Sequence, residues 1–195
     1  MSESVIVLAA GKGTRMKSDL PKVLHKVLGK SILAHALDTL SFINKQYVVV
    51  GHESDMVVNS LPSSAKHILQ KDQLGTGHAV STVVSGDLFI ENKPEFTLVV
   101  PGDVPAIDAK DIQLLMSEVK TKSSSVGFLT SIVENPYGYG RVVRSNEEIR
   151  IVEEKDCNDD ERNINEINSG IYCFNTDFLI QNIDSLDTKN VQGEF

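Results

Sequence analysis

"VIVLAAGKGTRM" (Val5–Met16) begins as an apolar run and ends in two glycines, a lysine and an arginine. The run has the length and near-continuous apolar character of a buried strand, and the turn after it carries few side chains. Bare backbone at such a turn lets N–H groups approach an anion closely, and Lys12 and Arg15 add positive charge. Two common phosphate-loop patterns do not fit. A Walker loop places Ser or Thr directly after its Gly-Lys pair, whereas Gly11-Lys12 is followed by Gly13. The dinucleotide fingerprint wants a small residue where this chain has Met16. The stretch reads either as a phosphate cradle of another design or as an ordinary strand–turn–helix junction.

The same texture recurs along the chain. Short β-rich runs fall at Val5–Ala10, Tyr47–Val50, His67–Gln70, Phe96–Val100 and Ser125–Val133. Helical patterns fill the gaps at Ser31–Ile43, Asp55–Leu61, His78–Ser85 and Asp111–Lys120. In the first of these, Leu33, Leu37 and Leu40 share one face and Ser31 is the expected N-cap. Apolar strands alternating with helices predict an α/β fold: a Rossmann-like mixed, mainly parallel sheet flanked by helices. Beyond Val133 the pattern changes to a meander, with strands expected at Arg141–Arg144, Ile149–Glu154 and Ile171–Asn175. The charged stretch Asp156–Asn165 reads as a solvated, mobile loop. With no repeat or linker, residues 1–195 read as a single domain.

In open α/β sheets, ligands gather at the carboxyl ends of the strands, which selects the loops Ala9–Lys22, Gln70–Gly77 and Pro101–Pro105. "LQKDQLGTGHA" (Leu69–Ala79) opens a helix with Gly75-Thr76-Gly77, small residues on which a flat base can lie; Gln70 or Gln73 could read its edge. "LVVPGDVP" (Leu98–Pro105) ends a buried strand in one carboxylate, Asp103. That acid is either a turn cap or a ligand for a hard cation such as Mg²⁺ beside substrate phosphates.

Composition narrows the partners. The net charge is −8 with no block of about five like charges, which argues against nucleic acid and against a membrane surface. No apolar run has the length of a membrane span, and the first residues lack a basic region. Cys157 and Cys173 match no metal spacing and read as free thiols in a reducing cytoplasm.

Taken together, the segments resemble the sugar-1-phosphate nucleotidyltransferases, whose signature loop "LAAGKGTRM" followed by Pro21-Lys22 resembles. "SDLPKVLH" (Ser18–His25), "QLGTGHA" (Gln73–Ala79), "GDVP" (Gly102–Pro105), "GYGR" (Gly138–Arg141), "IVEEKD" (Ile151–Asp156) and "EINSGIY" (Glu166–Tyr172) narrow the likeness. It points to the uridylyltransferase half of the bacterial bifunctional UDP-N-acetylglucosamine pyrophosphorylase/glucosamine-1-phosphate N-acetyltransferases. The resemblance implies that Leu8, Ala9, Ala10 and Gly11 contact uridine through backbone, and that Gln70, Gly75 and Thr76 read uracil. It implies that Arg15 and Lys22 grip the triphosphate, that Pro101, Gly102 and Asp103 contact substrate, and that Asp103 holds Mg²⁺. Gly140, Glu153 and Asn168 would hold the N-acetylglucosamine moiety. His25 and His78 are read as supporting residues.

The reaction implied is uridylyl transfer from UTP to N-acetylglucosamine-1-phosphate, giving UDP-N-acetylglucosamine and pyrophosphate for peptidoglycan and lipopolysaccharide synthesis. The nucleophile is already anionic, which fits a chain with no recognisable Ser–His–Asp or Cys–His set. Catalysis by Arg15, Lys22 and Asp103 would be positioning and charge. Against the family pattern, Pro101 replaces an aromatic residue, and the chain stops at "NVQGEF" (Asn190–Phe195). It thus stops before the family's second Mg²⁺ ligand and before the left-handed β-helix that carries acetyl transfer and trimerisation. A monomer is the expectation for the shorter chain. The alternatives are another sugar-1-phosphate nucleotidyltransferase and a weakly active fragment that binds UDP-sugar.

Overall fold

The computed structural model describes residues 2–11, 13, 16–51, 54–146 and 148–185. Strand β1 (Glu3–Ala9) runs into the glycine loop. A 3-10 turn (Lys22–Leu24) leads to a small hairpin, β2 (Lys26–Val27) with β3 (Lys30–Ser31), and then to α1 (Ile32–Thr39). Next come β4 (Lys45–Val50), α2 (Ser54–Val58), β5 (Lys66–Leu69), α3 (Thr76–Val84), α4 (Asp87–Glu91), β6 (Phe96–Pro101) and α5 (Ala109–Thr121). The rest is β7 (Val126–Ile132), β8 (Arg141–Arg144), β9 (Ile149–Val152), α6 (Asp159–Arg162), β10 (Glu166–Asn175) and α7 (Thr176–Asn182).

The main sheet has the order β5-β4-β1-β6-β10-β8-β9, with β7 pairing β10. The pairs β1–β4, β1–β6 and β4–β5 are parallel; β10 is antiparallel to β6, β7 and β8. Alternation along the strands feeds two cores. Val5, Val7, Val48, Leu98 and Val100 face Leu33 and Leu37 of α1 and Ile112 and Val119 of α5. Ile6, Val49 and Val99 face Ala79, Val80 and Val83 of α3, Phe89 of α4 and Leu179 of α7. Because both faces are covered, the central strands read as unbroken apolar runs.

The α1 expectation is met: Ser31 Oγ accepts from the Ala34 N–H at 3.2 Å, and Leu33, Leu37 and Leu40 are buried. Both cysteines are free and buried, and burial pushes the Cys173 thiol up to about 12. Among the described residues, no helix is long and apolar enough to cross a membrane.

Two expectations need correction. The stretch read as a mobile loop at Asp156–Asn165 contains α6. Its start is fixed by a capping box, in which the Glu161 N–H donates to Asn158 Oδ1 at 2.9 Å and the Asn158 N–H donates to Glu161 Oε2 at 3.0 Å. Strand β10 begins at Glu166 and not at Ile171, because a bulge between Asn168 and Tyr172 interrupts its pairing with β7 without ending the strand.

Candidate active site

The neighbours β1 and β6 send the chain to opposite sides of the sheet: β1 leads toward β4, β6 toward β7 and the antiparallel half. A crevice opens at the carboxyl ends of two strands that part in this way. Its floor is close-packed. Leu8 lies opposite Pro101, and the Gly102 N–H donates to the Leu8 carbonyl at 2.8 Å. A Cβ on Gly102 would stand 2.8 Å from that same oxygen, so only glycine lets the Asp103 loop lie against the end of β1.

The β5–α3 loop is fastened to the same place. Gln73 Nε2 donates to the Ala10 carbonyl at 2.7 Å. Gln70, only 3% exposed, donates from Nε2 to the Gly75 carbonyl at 3.2 Å and lies 2.9 Å from His78 Nδ1. His78 thus supports Gln70, as expected of it, and His25 Nε2 lies 3.3 Å from the Leu20 carbonyl. Of the two glutamines, Gln73 ties the two loops together and Gln70 is buried against Gly75 and His78. Thr76 opens α3 directly after Gly75. Leu8, Ala9, Ala10, Gly11, Gln70, Gly75 and Thr76 therefore converge as a group.

Lys22 and Asp103, far apart in sequence, meet across the opening, with Lys22 Nζ donating to Asp103 Oδ2 at 2.5 Å. Gly13 is packed against the Lys22 side chain, since a Cβ on it would come within 2.6 Å of Lys22 Cβ. Arg15 lies outside the described residues. Among the described residues, no group of three or more His, Cys, Asp or Glu side chains could hold a metal by itself. Asp103 already takes a cationic partner on one oxygen, so a divalent cation would find one carboxylate there and depend on water and phosphate oxygens for the rest.

Gly140, Glu153 and Asn168 form a second cluster. A Cβ on Gly140 would come 3.0 Å from Glu153 Oε1, and the Asn168 N–H donates to the Gly140 carbonyl at 2.8 Å. Beneath them, Arg141 is 1% exposed. Its guanidinium donates to the Tyr139 carbonyl and, at 2.7 Å, to Glu154 Oε2, which also accepts from the Gly138 N–H at 3.0 Å. The two clusters adjoin where Gly170 of β10 faces Pro101: a Cβ on Gly170 would stand 3.0 Å from Pro101 Cγ.

Two carboxyls around the second cluster are held low. The Gly138 N–H and Arg141 depress Glu154, and Arg144 depresses Glu166. Both are ionised and bonded in the fold, so their stabilisation is complete above the ordinary value of 4.5 and is lost as the pH falls through their lower folded values. Acid unfolding followed by circular dichroism is therefore expected below about pH 4.5. Glu154→Gln should flatten the pH dependence in that window.

Comparison with known proteins identifies the family. The MobA-like NTP transferase domain matches residues 5–147, which include both the glycine loop and the Asp103 turn. The chain belongs to the MobA-like NTP transferase family. This NTP transferase domain is 45% identical over 191 residues to the bifunctional protein GlmU of Fervidobacterium nodosum, aligning 98% of its own length with 41% of that protein. It is 46% identical to GlmU of Lactococcus lactis and 41% identical to GlmU of Clostridium perfringens, each over its whole length and 43% of theirs. The NTP transferase chain thus spans less than half the length of these relatives. A crystal structure named for a glucose-1-phosphate thymidylyltransferase of Bacillus anthracis superposes with a TM-score of 0.76 at 20% identity. The match covers 99% of this chain and 78% of that one, and it establishes the shared fold.

Reasoning from the sequence missed three parts of the NTP transferase site: the Gln73 tie to Ala10, the buried Arg141–Glu154 pair and the neighbourhood of Tyr172. Arg141 gave a signal, being a charged residue at the start of an apolar strand. The other two depend on loop paths that spacing does not encode.

Proposed function

We propose that the crevice transfers a uridylyl group from UTP to N-acetylglucosamine-1-phosphate, releasing pyrophosphate and UDP-N-acetylglucosamine. The observation that carries the reading is the juxtaposition, through Gly170 and Pro101, of the Gln70–Asp103 crevice with the Gly140–Glu153–Asn168 cluster. The similarity to GlmU over the whole chain supports it. A cytoplasmic location and a monomeric state for this chain belong to the same proposal.

A phosphate oxygen of the sugar phosphate attacks the α-phosphorus of UTP; the bond from that phosphorus to the bridging oxygen breaks, and pyrophosphate leaves with its electrons. No proton must be moved to make the nucleophile. Mg²⁺, when bound, would supply charge neutralisation between the phosphates, with Asp103 as its protein ligand. Lys22 is held by Asp103 until a ligand bearing phosphates draws it away, and Arg15 is assigned to the same triphosphate. Gln70 spends its N–H groups on Gly75 and His78, so Oε1 is the acceptor left for a base. Uracil offers N3–H to an acceptor; cytosine offers a lone pair.

UTP is therefore expected to bind at least about tenfold more tightly than CTP, the difference one unpaired buried polar group makes. ATP should bind more weakly still, because a purine overfills the slot. Glu153→Ala should weaken the sugar phosphate and spare UTP. The direct test is pyrophosphate release from UTP with and without sugar phosphate. Release that does not depend on N-acetylglucosamine-1-phosphate, or equal binding of UTP and ATP by calorimetry, would exclude uridylyl transfer.

A further inference from the structure

Asn168 and Tyr172 both belong to β10, four residues apart. In a regular strand their Cα atoms would be separated by about 13 Å. Here Asn168 Nδ2 donates to the Tyr172 hydroxyl at 2.6 Å. The bulge makes this meeting: Gly170 takes φ +78°, and Ser169 Oγ donates to the Leu129 carbonyl at 2.7 Å while accepting from the Ile171 N–H at 3.2 Å. The other end of the same amide is also fixed, since Asn168 Oδ1 accepts from the Gly170 N–H at 3.0 Å. Both ends of the amide are thus assigned, and it cannot flip without breaking two bonds.

The tyrosine that sets this orientation is itself immobilised. Its ring lies 5.8 Å from both Phe128 and Phe174, in a stack that spans β7 and β10. Burial lifts its phenol above the usual range, Asn168 opposing and the nearby Glu153 carboxylate reinforcing the shift, so the group stays a neutral hydroxyl. With one lone pair given to Asn168, its proton remains for an acceptor on the pocket side, where Glu153 stands.

We propose that Tyr172 is a positioning residue for sugar recognition: its hydroxyl, brought to Asn168 by the β10 bulge, fixes the amide that meets the N-acetylglucosamine moiety. The proposal rests on the functional reading above. It assigns to Tyr172 no contact with the nucleotide and no part in bond making.

Calorimetry on the full chain with Mg²⁺, using UDP-N-acetylglucosamine, UDP and UTP, tests it. In Tyr172→Phe, which keeps the ring stack and loses one oxygen, the affinity for UDP-N-acetylglucosamine should fall roughly tenfold, the worth of one good hydrogen bond, while UTP changes less than about twofold. Because the tyrosine acts through Asn168, the double variant Asn168→Ala/Tyr172→Phe should bind no more weakly than Asn168→Ala alone. The Asn168 side-chain amide resonances should shift and exchange faster in Tyr172→Phe, whatever happens to the melting temperature. Unchanged affinity for UDP-N-acetylglucosamine, an equal loss for UTP, additive single-variant effects or an unmoved Asn168 amide would each overturn the assignment and leave uridylyl transfer standing. A wild-type chain that binds UDP-N-acetylglucosamine no better than UDP would overturn the functional reading, and this proposal with it.

Discussion

Asp103→Asn is expected to lower uridylyl transfer by at least about 100-fold while barely moving the melting temperature. The substitution keeps the shape of the turn and removes the charge that Lys22 addresses and that the proposed divalent cation would address. Loss of that charge leaves the metal and the triphosphate free to shift, and a displacement of about 1 Å is enough to cost in-line transfer about two orders of magnitude. Stability should be nearly untouched. The Lys22 and Asp103 side chains are 41% and 35% exposed, and an ion pair so open to water contributes at most about 1 kcal/mol. Chelation of Mg²⁺ from the wild-type chain should reproduce the loss of activity. Steady-state pyrophosphate release read beside thermal melting separates the outcomes. A variant that retains more than a tenth of wild-type turnover would remove Asp103 from the metal site.

The second large effect is on stability. Arg141→Ala is expected to destabilise the fold by about 3 kcal/mol, as truncation of a large, fully buried side chain does. It would also leave the Tyr139 carbonyl and the Glu154 carboxylate without their shared donor. For a chain of this size, that is a fall of about 6–12 °C in melting temperature. Arg141→Lys should recover only part of it, because one ammonium cannot serve two acceptors held in the plane of a guanidinium. Differential scanning calorimetry of both variants decides the matter: equal melting temperatures for Arg141→Lys and wild type would mean that charge alone, and not the fork, holds the loop.

The parallel half of the molecule was legible because its strands are buried on both faces and its helices carry one apolar stripe each. Val5–Ala10, Phe96–Val100 and the α1 face with Leu33, Leu37 and Leu40 need no tertiary information. The antiparallel half was read less well. Its strands are short or half-covered, and a polar stretch such as Asp156–Asn165 shows its helix only through the reciprocal bonds of Asn158 and Glu161. Leu8–Gly11, Gln70–Thr76 and Asp103 could be placed at one end of the sheet because each lies at or just past the carboxyl end of a strand that is easily found. Which residues fasten those loops could not be read. Gln73 and Gln70 are equivalent in composition and spacing, and only the path of the backbone ties one to Ala10 and sets the other against Gly75 and His78. The contact between Asn168 and Tyr172 is hidden for the opposite reason: period-two alternation predicts no contact four residues apart, and a single positive-φ glycine reverses that expectation.

Strand β10 pairs with β6, whose end at Pro101 is followed two residues later by Asp103, and also carries Asn168. The ladder between them joins Tyr172–Asn175 to Phe96–Val99, and just past its end Gly170 rests on Pro101, so Asp103 and Asn168 both extend from this one pair of strands. In the proposed reaction the sheet would act as a fixed gauge between the two substrates, and adaptation to a different sugar would have to come from side chains such as Glu153 and Tyr172. An insertion or deletion of one residue in the bulge would instead turn Asn168 to the opposite face of the sheet. Natural variation in this family should accordingly be free in the identity of the residues around Gly170 and nearly absent in their number.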